Sequence, residues 1–237
     1  MLTAAAFVPS PPLLVPELCG LAAAETADLR DAVLDVGRAL SDAAEWVVVG
    51  VEDTERTVPA TARGTFRGFG ADVTVALGPD ADGDPDPLLP LPALVAGWLR
   101  DRTAPQVRVD THVLAAATDA DKCADLGAEL RARLDADDLP RALLVVADGA
   151  ATLTPKAPGA HDPRSEAVEA ALAAALAAGD PAALAHLDPA LCAEIRLEGR
   201  AAWHVLAGAF PSRPTSVTVG YSAAPYGVGY HAGVWKP

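Results

Sequence analysis

The sequence predicts an α/β fold: a single domain over residues 1–237, built on one mixed, largely parallel sheet with helices on both faces. Two continuous apolar runs, Trp46 to Val51 and Ala142 to Ala147, are typical of strands buried on both faces, as the strands of a parallel sheet are. Between and beyond these runs, segments with helical apolar spacing alternate with strand-like segments. Hydrophobic residues make up 51% of the chain, which is enough apolar material for one core of this size.

Each further element is predicted from a local pattern. Leu29, Val33, Val36 and Leu40 recur at helical spacing, so an amphipathic helix is expected from about residue 21 to residue 44, just before the first buried strand. In chain order there follow a strand at 72–77, an acidic, proline-bearing loop at 78–87, a helix at 88–102, a strand at 107–114, a helix at 119–135 and the second buried strand at 142–147.

Three Asp-Pro pairs predict helix starts in the last third of the chain. Asp162 is the expected N-cap, and Pro163 the first helical residue, of a helix that runs to residue 178. The remaining predictions are a short helix from Pro181 to His186, a longer helix from Pro189 to about Ala209, and strands at 216–221 and 228–234.

The composition excludes several classes of function. The formal net charge is −14 and the basic residues are dispersed, so no duplex nucleic-acid surface is expected and the acidity is interpreted as a solubility feature.

Cys19, Cys123 and Cys192 form no C-x-x-C pair, which predicts neither disulfides nor structural zinc and fits a reducing compartment. The start of the chain lacks the charged and apolar regions of a signal peptide, and no segment reaches the roughly 18 to 20 apolar residues of a membrane span. We therefore expect a cytoplasmic protein without a membrane partner.

Three segments resemble one known family, in the same order along the chain. Residues 8–17 read V-P-S-P-P-L-L-V-P-E, which is similar to the P-H-P-P-L-L-V-P-E start in relatives of the class III extradiol ring-cleavage dioxygenase catalytic subunit, a superfamily that also includes Memo-like proteins. Residues 147–155, A-D-G-A-A-T-L-T-P, resemble the family's G-D-L-S-H-R-L-T-P, and residues 225–230, P-Y-G-V-G-Y, resemble its P-F-G-V-G-Y. Because these segments lie at the start, middle and end, the resemblance covers essentially the whole chain and implies the family's fold.

The same resemblance implies that the family's iron site is lost. Ring cleavage there needs Fe(II) held by two histidines and one carboxylate, with a further histidine as acid and base. Ser10 stands at the first histidine ligand, no histidine follows the strand at 46–51 where the second belongs, and Ala151 stands at the acid/base histidine. Glu198 is the nearest match to the glutamate ligand, with Glu194 as the alternative if the alignment shifts by one helical turn. No cofactor is therefore expected, and Fe(II) only if a divergent enzyme has rebuilt the site.

The five histidines give no positive signal for a rebuilt metal site. His161, on the loop after the second matched segment, is the best candidate, but an exposed residue beside a helix cap is the favoured interpretation. His112, His186 and His204 are interpreted as packing or surface residues, and His231 follows the third matched segment with its direction undetermined. None forms a His-x-His or His-x-x-x-His pair.

Acidic residues follow both buried strands, at the place where open α/β sheets form a ligand crevice. Glu52 and Asp53 follow one strand and Asp148 the other, and such a crevice suits a cation or an amine, although ordinary loop solvation explains the residues equally well. Together with the matched segments they give the crevice candidates Ser10, Glu52, Asp53, Asp148, Thr152, His161, Glu198 and Tyr226, of which Glu198 and His161 are weak metal candidates.

The segment from Arg63 to Gly70 combines two arginines, two phenylalanines and three glycines. Such a composition suits a lid or a partner surface, because glycine permits motion and aromatic and arginine side chains are favoured contacts. The alternative is an ordinary loop or helical turn anchored by its aromatic residues.

Two functional hypotheses follow. In the first, the chain is a degenerate member of the dioxygenase scaffold that has lost ring cleavage and binds a small molecule or a protein partner through the former active-site crevice. A homo-oligomer, such as a dimer formed through its aromatic and apolar surfaces, is compatible with this hypothesis. In the second, a divergent enzyme uses the same crevice for carboxylate acid/base chemistry, or for metal chemistry on a new set of ligands.

Overall fold

A seven-stranded mixed sheet forms the centre of the molecule, flanked by helices. The computed structural model describes the backbone of all 237 residues and the side chains of all but residues 21 and 22. The strands are β1 (Leu2–Val8), β2 (Glu45–Glu52), β3 (Arg56–Val58), β4 (Arg63–Thr65), β5 (Thr74–Ala76), β6 (Arg108–Ala115), β7 (Arg141–Val146), β8 (Ser216–Ala223) and β9 (Tyr230–Lys236). The helices are α1 (Pro16–Cys19), α2 (Ala27–Ala39), α3 (Leu91–Thr103), α4 (Ala120–Leu134), α5 (Ser165–Ala178), α6 (Pro181–Ala185), α7 (Pro189–Glu194) and α8 (Arg200–Gly208).

The strand order is β3-β6-β2-β7-β1-β9-β8, and the four strands β6, β2, β7 and β1 are parallel. At the two edges, β3 runs antiparallel to β6, β9 antiparallel to β1, and β8 antiparallel to β9. The predicted mixed, largely parallel sheet is therefore confirmed. Strands β4 and β5 form a separate two-stranded sheet.

Helices cover both faces of the sheet, as predicted. Leu29 and Val33 of α2 and Leu94 and Trp98 of α3 are buried in the core on one face. On the other face the core is built by α4, α5 and α8, with Trp203 of α8 fully buried. Burial on both sides explains why β2 and β7 read as unbroken apolar runs.

The structure corrects five points of the predicted secondary structure. The first strand, β1, was not predicted, because its L-T-A-A-A-F-V sequence is rich in alanine and shows no alternation. The predicted strand at 72–77 shortens to three residues and lies outside the main sheet. Asp162 is not an N-cap: α5 begins at Ser165, after a turn in which the Asp162 carboxylate accepts a hydrogen bond from the Arg164 amide at 2.9 Å.

The helix predicted from residue 189 to residue 209 is broken into α7 and α8 by residues 195–199. Arg196 lies in this break with a left-handed backbone, φ 55°, which an uninterrupted helix excludes. The helix predicted from residue 21 also starts later, because residues 20–26 form 3-10 turns before α2. By contrast, Asp180 and Asp188 cap α6 and α7 through their side chains, as predicted.

The Arg63 to Gly70 segment forms β4 and a 3-10 turn from Phe66 to Phe69. Phe66 is fully buried and anchors the turn, whereas Phe69 is exposed. Of the helices that the structure describes, none combines the length and the apolar character that crossing a bilayer requires.

Candidate functional site

A crevice opens where β1 and β7 end. The connection after β1 leads to α2 on one face of the sheet, and the connection after β7 leads to α5 on the other. Because β1 and β7 are adjacent and parallel, their connections separate at the carboxyl edge and leave a gap between them. Ser10 follows β1 and Asp148 follows β7, so the fold places these two predicted site residues on opposite sides of this gap.

Ser10 and Asp148 form a two-point hydrogen-bonded pair. The Ser10 amide donates to Oδ1 of Asp148 at 2.8 Å, and the Ser10 hydroxyl donates to Oδ2 at 2.7 Å. Burial raises the pKa of Asp148 to about 6, against the opposing effect of the two hydrogen bonds from Ser10. Asp148 is thus a carboxyl group that changes charge close to neutral pH, inside a crevice.

The crevice has an inner and an outer part. The inner cavity has a volume of about 120 Å³, and its lining includes Ser10, Asp148 and Ala151. The outer part, of about 520 Å³, is lined by Glu52 and Asp53 among others. Ser10, Val51 and Glu198 line both parts, so the two volumes adjoin.

Carboxylates outnumber cations around this crevice. Asp148 and Glu198 line the inner part, and Glu52 and Asp53 the outer part. Among the lining residues that the structure describes, Arg196 is the one basic side chain. Its guanidinium lies 3.2 Å from the Glu198 carboxylate, which partly neutralises both groups at the rim. The lining therefore carries net negative charge at neutral pH.

Arg196 is a site residue that the sequence did not reveal. It lines the inner cavity from the break between α7 and α8, where its left-handed backbone re-aims the chain. A positive φ at a residue other than glycine, asparagine or aspartate has no sequence signature. The sequence around Arg196 is typical of a continuous helix, so neither the break nor the position of Arg196 at the cavity could be predicted from it.

Three of the predicted residues lie outside the crevice. Thr152 is only 2% exposed, and its hydroxyl donates to the Ile195 carbonyl at 2.8 Å. His161 and Tyr226 are exposed, and neither belongs to the lining of the inner or the outer part.

Two of the acidic candidates, Glu52 and Glu194, are held by a hydrogen bond or an ion pair with another part of the protein. The Glu52 carboxylate accepts a hydrogen bond from the Leu91 amide at 2.6 Å and so satisfies the first turn of α3. Glu194, the alternative to Glu198, points elsewhere and pairs with Arg164 at 2.5 Å. Of the two glutamates that the resemblance offered as a ligand, Glu198 is therefore the one that lines the crevice.

The residues present do not fit a ferrous centre. Within the described side chains, no group of three or more His, Cys, Asp or Glu is arranged to hold a metal ion. Ser10 stands where the resemblance places the first histidine ligand, and its hydroxyl is engaged by Asp148. A hydroxyl with one nearby carboxyl is a weak donor set for Fe(II), which favours two imidazoles and a carboxylate.

A second polar cluster lies behind the segment that carries Asp148. Glu169 of α5 accepts hydrogen bonds from the Ala150 amide at 2.8 Å and from Nε2 of His231 at 2.8 Å. A Cβ on Gly149 would lie 2.3 Å from the Glu169 carboxylate, and one on Gly229 would lie 1.6 Å from it. These two glycines thus make room for the carboxylate, and no side chain replaces them without displacing it.

Glu169 was not singled out from the sequence, although its helical spacing relative to buried leucines predicts a buried carboxylate. It precedes Leu172 by three residues and Leu176 by seven, so it lies on the buried face of α5. His231 is 2% exposed and faces Glu169 from β9, which settles the direction that the sequence left open. It does not line the crevice.

The remaining histidines take no part in either cluster. His204 is buried in α8, and His112 is partly buried in β6, where burial lowers the pKa of its imidazole. His186 is exposed after α6. These positions agree with their interpretation as packing or surface residues.

Comparison with known proteins supports the fold alone. No family model matches the chain, and no curated protein matches it. Among solved structures, the crystal structure of an uncharacterised protein from Escherichia coli K12 matches over 99% of this chain and 100% of that chain, with a TM-score of 0.58 and 12% sequence identity. Similarity at this identity reports a shared arrangement of helices and strands.

Proposed function

We propose that this protein is a degenerate relative of the class III extradiol dioxygenases that binds a small, amine-bearing molecule in the crevice between β1 and β7. The observation that carries the proposal is the Ser10–Asp148 pair at the inner end of the crevice. It presents a hydroxyl and a carboxylate at the place where open α/β sheets receive their ligands.

Two features support the resemblance to the dioxygenase scaffold. The matched segments at residues 8–17 and 147–155 meet at this crevice, since they carry Ser10 and Asp148. Ala151, at the position of the acid/base histidine, and Glu198, at the position of the glutamate ligand, line the same inner cavity. Three positions that the resemblance relates to one active site, Ser10, Ala151 and Glu198, therefore line one cavity.

The charge of the lining supports an amine as the ligand. Four carboxyl groups face one guanidinium, which is itself paired with Glu198, so a cation is attracted and an anion repelled. Asp148 offers an ionised carboxylate above pH of about 6, and the Ser10 hydroxyl oxygen can accept a hydrogen bond from an ammonium group. The inner volume of about 120 Å³ suits a small molecule and is too small to admit a folded partner.

Calorimetric titration tests this proposal. Ethanolamine, 1,4-diaminobutane and 2-phenylethylamine are each compared with the alcohol and the carboxylate of matching size at about pH 7.5. We expect binding of at least one amine, with an affinity at least about tenfold higher than that of its alcohol and carboxylate analogues.

Matched variants locate the binding. Asp148→Asn keeps the shape and one acceptor but removes the charge, and we expect it to weaken amine binding at least about tenfold. Asp138→Asn removes an exposed carboxylate that does not line the crevice and should leave binding unchanged. Equal binding of amines and carboxylates, or full retention in Asp148→Asn, contradicts the proposal, as does stoichiometric Fe(II) with catechol cleavage in protein expressed with iron.

A second candidate function is acid/base catalysis in the same crevice. The observation that favours it is the burial of Asp148 in the wall of the crevice, which raises the pKa of its carboxyl to about 6, because a carboxyl with a raised pKa in a cleft is suited to donate and accept protons near neutral pH. Amines that bind are then incubated with the protein and followed by NMR. Turnover with a pH dependence centred near 6, abolished in Asp148→Asn, supports the enzyme, whereas unchanged amines support binding alone.

A further inference from the structure

A second pocket lies between α5 and the β8–β9 pair. Its volume is about 410 Å³, and it shares no lining residue with the crevice. Ser222, His231 and Glu169 line it together, and the other wall residues include Leu153, Thr154 and Ala170. The second polar cluster thus faces a cavity of its own.

These three polar residues form a continuous hydrogen-bonded chain. Ser222 of β8 and His231 of β9 are direct cross-strand partners, which places the Ser222 hydroxyl 3.0 Å from Nδ1 of the imidazole. On the opposite side of the ring, Nε2 lies 2.8 Å from the Glu169 carboxylate. Ser222 is exposed, His231 is buried, and Glu169 is fixed by the Ala150 amide.

The carboxylate determines the tautomer of His231. An ionised carboxylate only accepts hydrogen bonds, so Nε2 of the neutral ring carries the proton that it donates to Glu169. Nδ1 is then unprotonated and accepts a hydrogen bond from the Ser222 hydroxyl. This is the order of roles in which a histidine removes a proton from a serine nucleophile while a carboxylate orients the ring.

We propose that Ser222 is the nucleophile of a second site, activated by His231 and Glu169, which hydrolyses small uncharged esters with short acyl groups. Ala170, Ala173 and Ala223 give the pocket small apolar walls, which suit a short acyl chain. Glu166, also in the lining, disfavours an anionic substrate. The Thr154 hydroxyl, the other hydroxyl group among the lining side chains that the structure describes, is assigned as donor to the ester carbonyl oxygen.

The reaction balances without a cofactor. The Ser222 oxygen bonds to the ester carbonyl carbon as its proton passes to Nδ1 of His231, and the carbon–alkoxide bond breaks as Nδ1 returns this proton to the departing alcohol. Water then adds to the acyl carbon, again losing its proton to Nδ1. The bond between the acyl carbon and the Ser222 oxygen then breaks as Nδ1 returns the proton to this oxygen, which releases the carboxylic acid and restores the Ser222 hydroxyl and the neutral imidazole.

An active-site label tests the proposal on the full-length protein. The protein is treated with an alkyl fluorophosphonate, the modified residue is identified by peptide mass spectrometry, and hydrolysis of p-nitrophenyl acetate is measured in parallel. We expect modification of Ser222, with loss of ester hydrolysis in the labelled protein and in Ser222→Ala. Ser216→Ala, which removes an exposed hydroxyl from the same strand, should leave both unchanged.

Glu169→Gln separates a catalytic role from a structural one. The glutamine oxygen still accepts from the Ala150 amide, but its amide group donates to Nε2 and so forces the proton onto Nδ1. We expect a stably folded variant whose His231 tautomer is inverted in ¹⁵N NMR and whose labelling rate falls about 100-fold or more. The proposal is overturned if Ser222 is labelled no faster than Ser216 in the unaltered protein. It is also overturned if Glu169→Gln leaves the rate of Ser222 labelling unchanged.

Discussion

At the scale of single residues, Asp148 combines two effects that oppose each other. Its hydrogen bonds from Ser10 stabilise the ionised form, yet burial disfavours the charge more strongly and raises the pKa from 3.8 to about 6. The folded protein therefore holds this proton more tightly than the unfolded chain does. The stability that Asp148 contributes is complete below pH of about 3.8 and is lost as the pH rises through about 6.

Asp148→Asn makes this linkage measurable. Relative to the unaltered protein, the free energy of unfolding of the variant should increase by roughly 2 kcal/mol between pH 4.5 and pH 7.5, because asparagine carries no charge to desolvate. Urea unfolding at the two pH values measures the difference. Asp138→Asn, at an exposed position, should show no comparable trend, and a constant difference for Asp148→Asn would refute the raised pKa.

Gly229 gives a second prediction at the same scale. A methyl group there would displace the Glu169 carboxylate from its hydrogen bonds with the Ala150 amide and His231, so Gly229→Ala should lower the free energy of unfolding by about 2 kcal/mol. On the neighbouring strand, the nearest atom to a Cβ on Gly220 is 3.6 Å away, and Gly220→Ala should change stability by less than about 1 kcal/mol. Equal effects of the two substitutions in urea unfolding would contradict the packing described for Glu169.

At the scale of elements, the break between α7 and α8 is what brings Arg196 and Glu198 to the crevice. Residues 195–199 leave the helical path, and Arg196 adopts a left-handed conformation that costs an ordinary residue about 1 kcal/mol or more. Its side chain forms an exposed ion pair with Glu198, a contact that contributes little to stability. A strained residue at a cavity wall is a common sign of a site whose geometry matters more than its stability.

Substitutions at residue 196 test this strain. Arg196→Gly should be more stable than Arg196→Ala by about 1 kcal/mol, because glycine adopts positive φ without steric cost. At Ala174, exposed in the middle of α5, the preference should reverse, so Ala174→Gly should lose about 1 kcal/mol. Thermal and urea unfolding of the unaltered protein and of the three variants measure these differences. If Arg196→Gly is less stable than Arg196→Ala, the backbone at residue 196 is not strained.

At the scale of the whole molecule, net charge opposes the compact state. The chain carries 32 acidic and 18 basic side chains, and their mutual repulsion in the folded protein is screened by salt. We expect the free energy of unfolding to rise by about 1 kcal/mol when NaCl is raised from about 0.02 M to about 0.3 M at pH 7.5. A decrease measured by urea unfolding would mean that the surface ion pairs outweigh the repulsion.

By itself, the sequence determined the class of the fold and most of its elements. The apolar runs of β2 and β7 and the capped starts of α6 and α7 are local patterns, and local patterns are what a sequence reveals. It also identified Asp148, because an acidic residue directly after a buried strand marks the carboxyl edge of a sheet. Ser10 was identified through the family resemblance, which places it at the position of a histidine ligand. The alanine-rich β1 escaped, since its strand conformation comes from pairing with β7 and β9.

Only the tertiary structure decided which polar residues meet. Ser10 and Asp148 are 138 positions apart, and Glu169 and His231 are 62 apart, so strand order and helix placement alone create these contacts. The same packing removed Thr152, His161 and Tyr226 from the crevice and added Arg196. The direction of a side chain and the bend of a backbone depend on neighbours that are distant in sequence. For this reason the sequence predicted where the crevice lies, but only the packing determined which side chains line it.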